Sequence, residues 1–153
     1  MTTVGIKLLE GDQYKPLKAH SEDACYDVFA TSILYEDDNK VHYGLGFALE
    51  LPPNFRADLR ARSSIHKTGL ILSNGVGTGD AGYSGEYQAV FYKIAPNAIS
   101  YFIGDRVAQI KFEKVEQVEF QEVKDLSKSV RGVNGFGSSG GYVHNNSSGK
   151  VIF

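Results

Sequence analysis

Apolar and polar side chains alternate with a period of two in segment after segment, and this limits the chain to one fold class. Only an extended strand sends every second side chain to the same face. In Phe55-Arg56-Ala57-Asp58-Leu59-Arg60-Ala61-Arg62, the residues Phe55, Ala57, Leu59 and Ala61 face one way and the charged residues the other. The same pattern predicts strands over roughly 3–10, 26–31, 41–51, 85–94, 99–103, 106–115 and 117–123, separated by turn signals such as Pro52-Pro53-Asn54 and Pro96-Asn97. Helical periodicity is nearly absent; one short helix is expected near Ser64 to Thr68, with Ser63 or Ser64 capping it. Many short strands with frequent turns imply an all-β barrel or jelly roll. After Val123 the character changes, and Asn134-Gly135-Phe136-Gly137-Ser138-Ser139-Gly140-Gly141 is too glycine-rich for a core strand. The expected division is therefore a β barrel over 1–125 and a flexible glycine-rich C-terminal arm over 126–153. The apolar tip Val151-Ile152-Phe153 is expected to dock somewhere.

Charge narrows the partners. Lys and Arg total 16 against 18 Asp and Glu, a formal net charge of -2, which argues against the basic surface that nucleic acid or an anionic membrane selects. Any anion must be bound by a local cluster. Cys25 is the only cysteine, so no intramolecular disulfide can form and a reducing compartment is inferred. His20, His42, His66 and His144 lie far apart, without zinc-type spacing. No stretch resembles a signal peptide or approaches a membrane span, so a soluble, intracellular protein is expected.

Several segments carry possible chemistry, each with an ordinary alternative. Asp27, beside Val28 and Phe29, can orient water around a magnesium ion held by phosphate oxygens, or be a plain aspartate at a strand start. Arg62, Ser63 and Ser64 combine a guanidinium fork, hydroxyls and the free amides of a helix start, which suit a phosphate; an exposed ion pair and a simple cap are the alternative. The run Ser73-Asn74-Gly75-Val76-Gly77-Thr78-Gly79-Asp80-Ala81-Gly82-Tyr83-Ser84-Gly85 is so rich in glycine that backbone must closely approach itself or a ligand. Such a hairpin can pair backbone groups with a base edge, set Tyr83 against a sugar and use Asp80 as general base, or be a plain turn. Gln109 lies opposite Ala108 and Ile110 in the alternation, where its amide can donate to a phosphate or simply face solvent. Arg131, Phe136, Gly137 and Ser138 can close over a triphosphate, or form a solvated tail. No Walker or Rossmann fingerprint fits these glycines.

In order along the chain, Ala24-x-Tyr26-Asp27, Arg62-Ser63-Ser64, Asp80-Ala81-Gly82-Tyr83-x-Gly85, Gly104-Asp105-Arg106-x-Ala108-Gln109 and Arg131 with Phe136-Gly137-Ser138-Ser139-Gly140 resemble the motifs of the trimeric dUTPases. The likeness spans about 20–141. It implies a jelly-roll-like β barrel assembled as a homotrimer with active sites shared between subunits, converting dUTP to dUMP and pyrophosphate with Mg2+, which keeps dUTP low and supplies dUMP for thymidylate synthesis. By the same resemblance uracil meets backbone near Gly77 and Thr78 with Asn74 as a further contact, and Tyr83 stacks beside the deoxyribose. Asp80 activates water for attack on the α-phosphorus, while Arg62, Ser63, Ser64 and Gln109 hold phosphates. Asp27 touches magnesium through water, and Arg131, Phe136, Gly137 and Ser138 form the lid. A cytoplasmic location follows, or a nuclear one in a eukaryotic or viral setting. The chain departs from the usual family pattern with Cys25 in place of Gly, Ala61 in place of Pro, and Gly79 where Ile or a similar residue precedes the aspartate.

Two other functions compete. A dCTP deaminase shares the fold and an Asp-x-Gly-aromatic-x-Gly segment, but Val90 stands where its chemistry needs a glutamate. A regulatory module that uses the scaffold to engage another protein is the second, since fold alone does not fix function.

Overall fold

The computed structural model describes residues 2–135 and the backbone of a short strand pair, His144–Asn145 and Val151–Ile152. The alternating segments become strands β1 (Gly5–Leu8), β2 (Tyr26–Phe29), β3 (Ser32–Glu36), β4 (Lys40–Gly44), β5 (Phe47–Glu50), β6 (Phe55–Ala61), β7 (Leu70–Leu72), β8 (Val76–Gly79), β9 (Gln88–Lys93) and β10 (Arg106–Lys114). All pairings are antiparallel, in two four-stranded sheets ordered β2-β10-β6-β8 and β3-β4-β9-β7, with β1 paired to β5. The result is the all-β, jelly-roll-like architecture expected from the alternation. Val28, Leu59, Val107 and Ile110 from one sheet meet Val41, Tyr43, Leu72 and Phe91 from the other, with Phe47 of β5 in the same buried cluster. Tyr43 and Phe91 pack edge to face at 6.1 Å. No helix among the described residues is long and apolar enough to cross a membrane.

Several local expectations need correction. The expected strand over 41–51 is broken between β4 and β5 at Gly46, whose φ of 71° suits glycine and whose missing side chain leaves room for Thr31. β3 escaped the pattern because Ile33, Leu34 and Tyr35 are consecutive and all about half exposed on an edge strand. The segment 99–103 forms no strand; Tyr101 turns inward, and its carbonyl accepts a hydrogen bond from the Tyr43 hydroxyl at 3.0 Å. The segment 117–123 is not a strand either, and Phe120 is 96% exposed. The expected short helix is a 3-10 turn at Ser63–Lys67, with Arg62 at its N-cap and no side-chain cap from Ser63 or Ser64.

The chain divides into a compact unit Met1–Gln117 and a second unit Val118–Phe153. In the second, Arg131 Nε donates to the Asn134 carbonyl at 3.0 Å, and Gly132 takes a φ of 55° in the turn between them. Phe136, Gly137, Ser138 and Phe153 lie outside the described residues, while the backbone of Val151–Ile152 from the expected apolar tip pairs antiparallel with His144–Asn145.

Because Phe91 is fully buried between Tyr43 and Tyr101, Phe91→Ala should cost about 3–5 kcal/mol. Urea unfolding followed by circular dichroism measures it; a loss below about 1 kcal/mol would place the core elsewhere.

Candidate functional site

The glycine-rich run connects β7 to β9, which pair with each other, and carries β8, which pairs with β6 in the other sheet. After Leu72 the chain turns at Gly75, whose φ is 65° and whose N–H donates to the Leu72 carbonyl at 3.0 Å. It then runs along β6 as β8, in the register Ala57↔Gly79, Asp58↔Thr78, Leu59↔Gly77 and Arg60↔Val76. A tight turn follows, in which the Tyr83 N–H donates to the Asp80 carbonyl at 3.0 Å. The sequence reads this run as a glycine-rich hairpin or a plain turn; instead Val76–Gly79 pairs with β6, because backbone pairing overrides the low strand preference of glycine.

The hairpin walls a cavity of about 250 Å³, lined by Asn74, Gly77, Thr78, Gly79, Asp80 and Tyr83, with Leu59 and Tyr87 at its back. Two of its glycines are matters of space. A Cβ on Gly77 would lie 2.8 Å from Asn74 Nδ2, and one on Gly79 would lie 2.7 Å from Tyr87 Cζ. Gly85 plays the same part for Tyr83: a Cβ there would come within 2.6 Å of the phenol oxygen. The Tyr83 hydroxyl donates to the Glu86 carbonyl at 2.8 Å, which fixes a half-exposed ring at the cavity mouth. The described hairpin therefore brings Asn74, Gly77, Thr78, Asp80 and Tyr83 together around one cavity.

A second cluster forms at the far end of β6. Arg62 Nε donates to Asp27 Oδ1 at 3.0 Å, Arg106 Nη1 donates to Asp27 Oδ2 at 3.1 Å, and Arg62 Nη1 reaches the Arg106 carbonyl at 3.3 Å. The Asp27 side chain is 14% exposed, so these pairs are partly shielded from solvent. Gln109 lies between β2 and β6 in the register Gln109↔Asp27 and Gln109↔Arg60, and its amide donates to the Ala61 carbonyl at 3.1 Å. Ser63 and Ser64 follow in the 3-10 turn. Arginine and glutamine donors beside serine hydroxyls suit a phosphate chain.

The two clusters are not adjacent. Gly79 pairs with Ala57, whereas Arg62 lies beyond the other end of β6, about 17 Å along the strand at ~3.4 Å per residue. The Arg62 guanidinium also leans toward β2 and β10, away from β8 on the other side of β6.

Among the described residues no group of three or more His, Cys, Asp or Glu side chains converges on a possible metal position. Asp27 is a lone carboxylate, with both oxygens already on guanidiniums. Such a donor set fits magnesium carried by phosphates and touched through water, because Mg2+ readily keeps part of its water shell.

Two residues of the site carried no motif. Asp58, on the outward face of β6, is 2% exposed between Arg56 and Arg60, at 3.3 and 3.2 Å, and accepts a hydrogen bond from the Thr78 hydroxyl at 3.3 Å. Tyr87 reads in the sequence as an ordinary inward strand residue. The missing side chain at Gly79 was the available signal for it.

Comparison with known proteins gives a consistent result. The sequence profile of the dUTPase family matches residues 13–140. The chain is 37% identical over 143 residues to a deoxyuridine 5'-triphosphate nucleotidohydrolase of Rhodococcus erythropolis, covering 92% of this chain and 87% of that protein. It is 38% identical over 140 residues to the enzyme of the same name from Clostridium tetani, covering 90% of this chain and 97% of that protein. In structure it resembles the dUTPase of Staphylococcus bacteriophage 80alpha solved with dUpNHpp, with a TM-score of 0.77 at 24% identity over 92% of this chain and 99% of that one. A variant dUTPase of phage phi11, described with a structural Mg(II) ion, superposes with a TM-score of 0.67 at 21% identity over 83% of this chain and 100% of that one.

Burial, helped by the nearby Tyr83 and Asp80, pushes the Tyr87 phenol up to about 12, and burial does the same for Tyr43. Unfolded tyrosine ionises near 10.0, so this contribution is intact below about pH 10 and is lost as pH rises toward 12. Chemical denaturation across that window should show falling stability, with a shallower fall in Tyr87→Phe. Equal slopes for the two proteins would contradict the burial of that phenol.

Proposed function

The chain belongs to the dUTPase family, and we propose that it hydrolyses dUTP to dUMP and pyrophosphate through a water activated by Asp80. The observation that carries this reading is the cavity in which Asp80 and Tyr83 stand beside Gly77 and Thr78. Uracil fits against the exposed backbone of β8, where a side chain at Gly77 would collide with Asn74. The Asn74 amide adds a polar contact, and Tyr83 packs along the deoxyribose, leaving no room for a 2′-hydroxyl. Asp80 accepts a proton from water as the new oxygen bond forms at the α-phosphorus. The bond to the bridging oxygen breaks, and that oxygen leaves with pyrophosphate.

Arg62, Ser63, Ser64 and Gln109 hold the phosphates, and Asp27 sets the direction of the Arg62 fork. Asp27 would contact, through water, a magnesium ion bound to the triphosphate, and that ion would supply neutralising charge to the phosphate oxygens. The motif of Arg131, Phe136, Gly137 and Ser138 supports the lid role that the family resemblance implies for these residues.

The separation of Arg62 from Asp80 within one chain supports a site shared between subunits of a homotrimer. A phosphate held at the Arg62 end of β6 is out of reach of the Asp80 of the same chain. Arg62 from a second copy supplies the missing part. A cytoplasmic setting suits both the substrate and the single free Cys25.

Asp80→Asn should lower kcat on dUTP by at least about 10²–10⁴-fold while dUTP still binds. Pyrophosphate release from dUTP, dCTP and UTP, with and without magnesium, checks the assignment, and ammonia release from dCTP would replace it with deamination. Mixing Asp80→Asn with Arg62→Ala should restore part of the activity that each lacks alone, because a mixed trimer holds sites with both groups intact. No recovery in mixtures that sedimentation shows to have exchanged subunits would assign the whole site to one chain.

A further inference from the structure

Gly79 immediately precedes the proposed general base, yet its φ lies outside the left-handed region that calls for glycine. The reason for glycine is therefore space. A Cβ at this position would lie 2.7 Å from Tyr87 Cζ and 2.8 Å from Tyr87 Cε1, and would overlap the phenol oxygen. Tyr87 fills the volume that a side chain at 79 would occupy.

The ring is fixed from several directions. It stacks on Phe47 at 5.3 Å and 12°, meets Tyr83 edge to face at 5.7 Å and is 5% exposed. Its N–H donates to the Phe47 carbonyl at 2.9 Å, and its carbonyl accepts the Leu45 N–H at 3.0 Å. The backbone it supports needs support. β8 is the edge of its sheet, paired to β6 on one side only, and it carries glycines at 77 and 79. Without a wedge beneath Gly79, the peptide leading into Asp80 would have wide conformational freedom.

We propose that Tyr87 is a positioning residue for Asp80: its ring, inserted beneath Gly79, holds the backbone that aims the carboxylate. This rests on the assignment of Asp80 as general base. The side chain acts by bulk: its oxygen comes nearest to where a Cβ on Gly79 would stand, and the ring carbons Cζ and Cε1 still lie 2.7 and 2.8 Å from that point without it. Among the described residues Tyr87 Oη is buried without a hydrogen-bond partner, so phenylalanine loses no hydrogen bond and keeps the ring carbons beneath Gly79.

The ring and the hydroxyl are separable by substitution. Tyr87→Phe should keep kcat on dUTP within about twofold of wild type. Tyr87→Val, which withdraws the wedge, should lower kcat about 10- to 100-fold with KM changed less than about threefold, the signature of misplaced geometry. Adding Gly79→Ile to Tyr87→Val refills the volume from the other strand and should recover most of the lost kcat. Rates are expressed per folded site, counted by calorimetric titration with a non-hydrolysable dUTP analogue, so that simple loss of folded protein does not imitate the effect. Wild-type kcat in Tyr87→Val, a fall in Tyr87→Phe as large as in Tyr87→Val, or no recovery in the double variant would each overturn the inference while leaving the dUTPase assignment intact. A wild-type protein inert on dUTP would overturn both.

Discussion

The site depends on an edge strand that is weak by composition and held in place by its neighbours. β8 contributes two glycines in four residues, which disfavours an extended strand on its own. Backbone pairing to β6 from Arg60↔Val76 to Ala57↔Gly79 fixes it nonetheless. Because Gly77 and Gly79 bring no side chains, Asn74 and Tyr87 pack into the space they leave, and the cavity opens alongside the bare strand. An extended backbone with open donors and acceptors on one side is suited to reading the edge of a base. The same bareness leaves the strand in need of support from outside its own sheet.

That support comes from two directions. On the outward face, Asp58 is buried between Arg56 and Arg60 and accepts the Thr78 hydroxyl, tying β8 to β6 by side chains as well as backbone. A carboxylate buried to this degree persists because two guanidiniums and a hydroxyl compensate its lost hydration. On the inward face, the Tyr87 ring enters from the start of the opposite sheet and occupies the space beside Gly79. Both contacts join residues distant in sequence, and both act on the strand that leads to Asp80.

The second cluster follows a different logic. Asp27 binds Arg62 and Arg106 at once, so three charged residues on three segments fix one another's direction. This preorganised fork points away from the hairpin. The cavity beside β8 and the Arg62–Asp27–Arg106 cluster thus flank β6 on opposite sides.

The alternation in Phe55–Ala61 and Arg106–Lys114 was enough to read the all-β class and the inward-facing residues Ala57, Leu59, Ala108 and Ile110, because side-chain period is a local property of extended backbone. Dense glycine marked Ser73–Gly85 as a close approach or a plain turn, and the family resemblance singled out Asn74, Gly77 and Thr78, which the fold gathers with Asp80 and Tyr83 around one cavity. Other features were decided only by the tertiary structure. β7 is only three residues long, β3 sets Ile33, Leu34 and Tyr35 in a row on an edge strand without alternation, and β8 is a strand because β6 lies beside it. Expected strands at 99–103 and 117–123 failed for the converse reason: the right period found no partner to pair with. Tyr87 and Asp58 gain their significance from residues 8 and 20 positions away, Gly79 and Thr78, which meet them only across folded strands. Local periodicity is written in neighbouring residues, whereas the fit of one side chain into the vacancy left by another exists only once the sheets have come together.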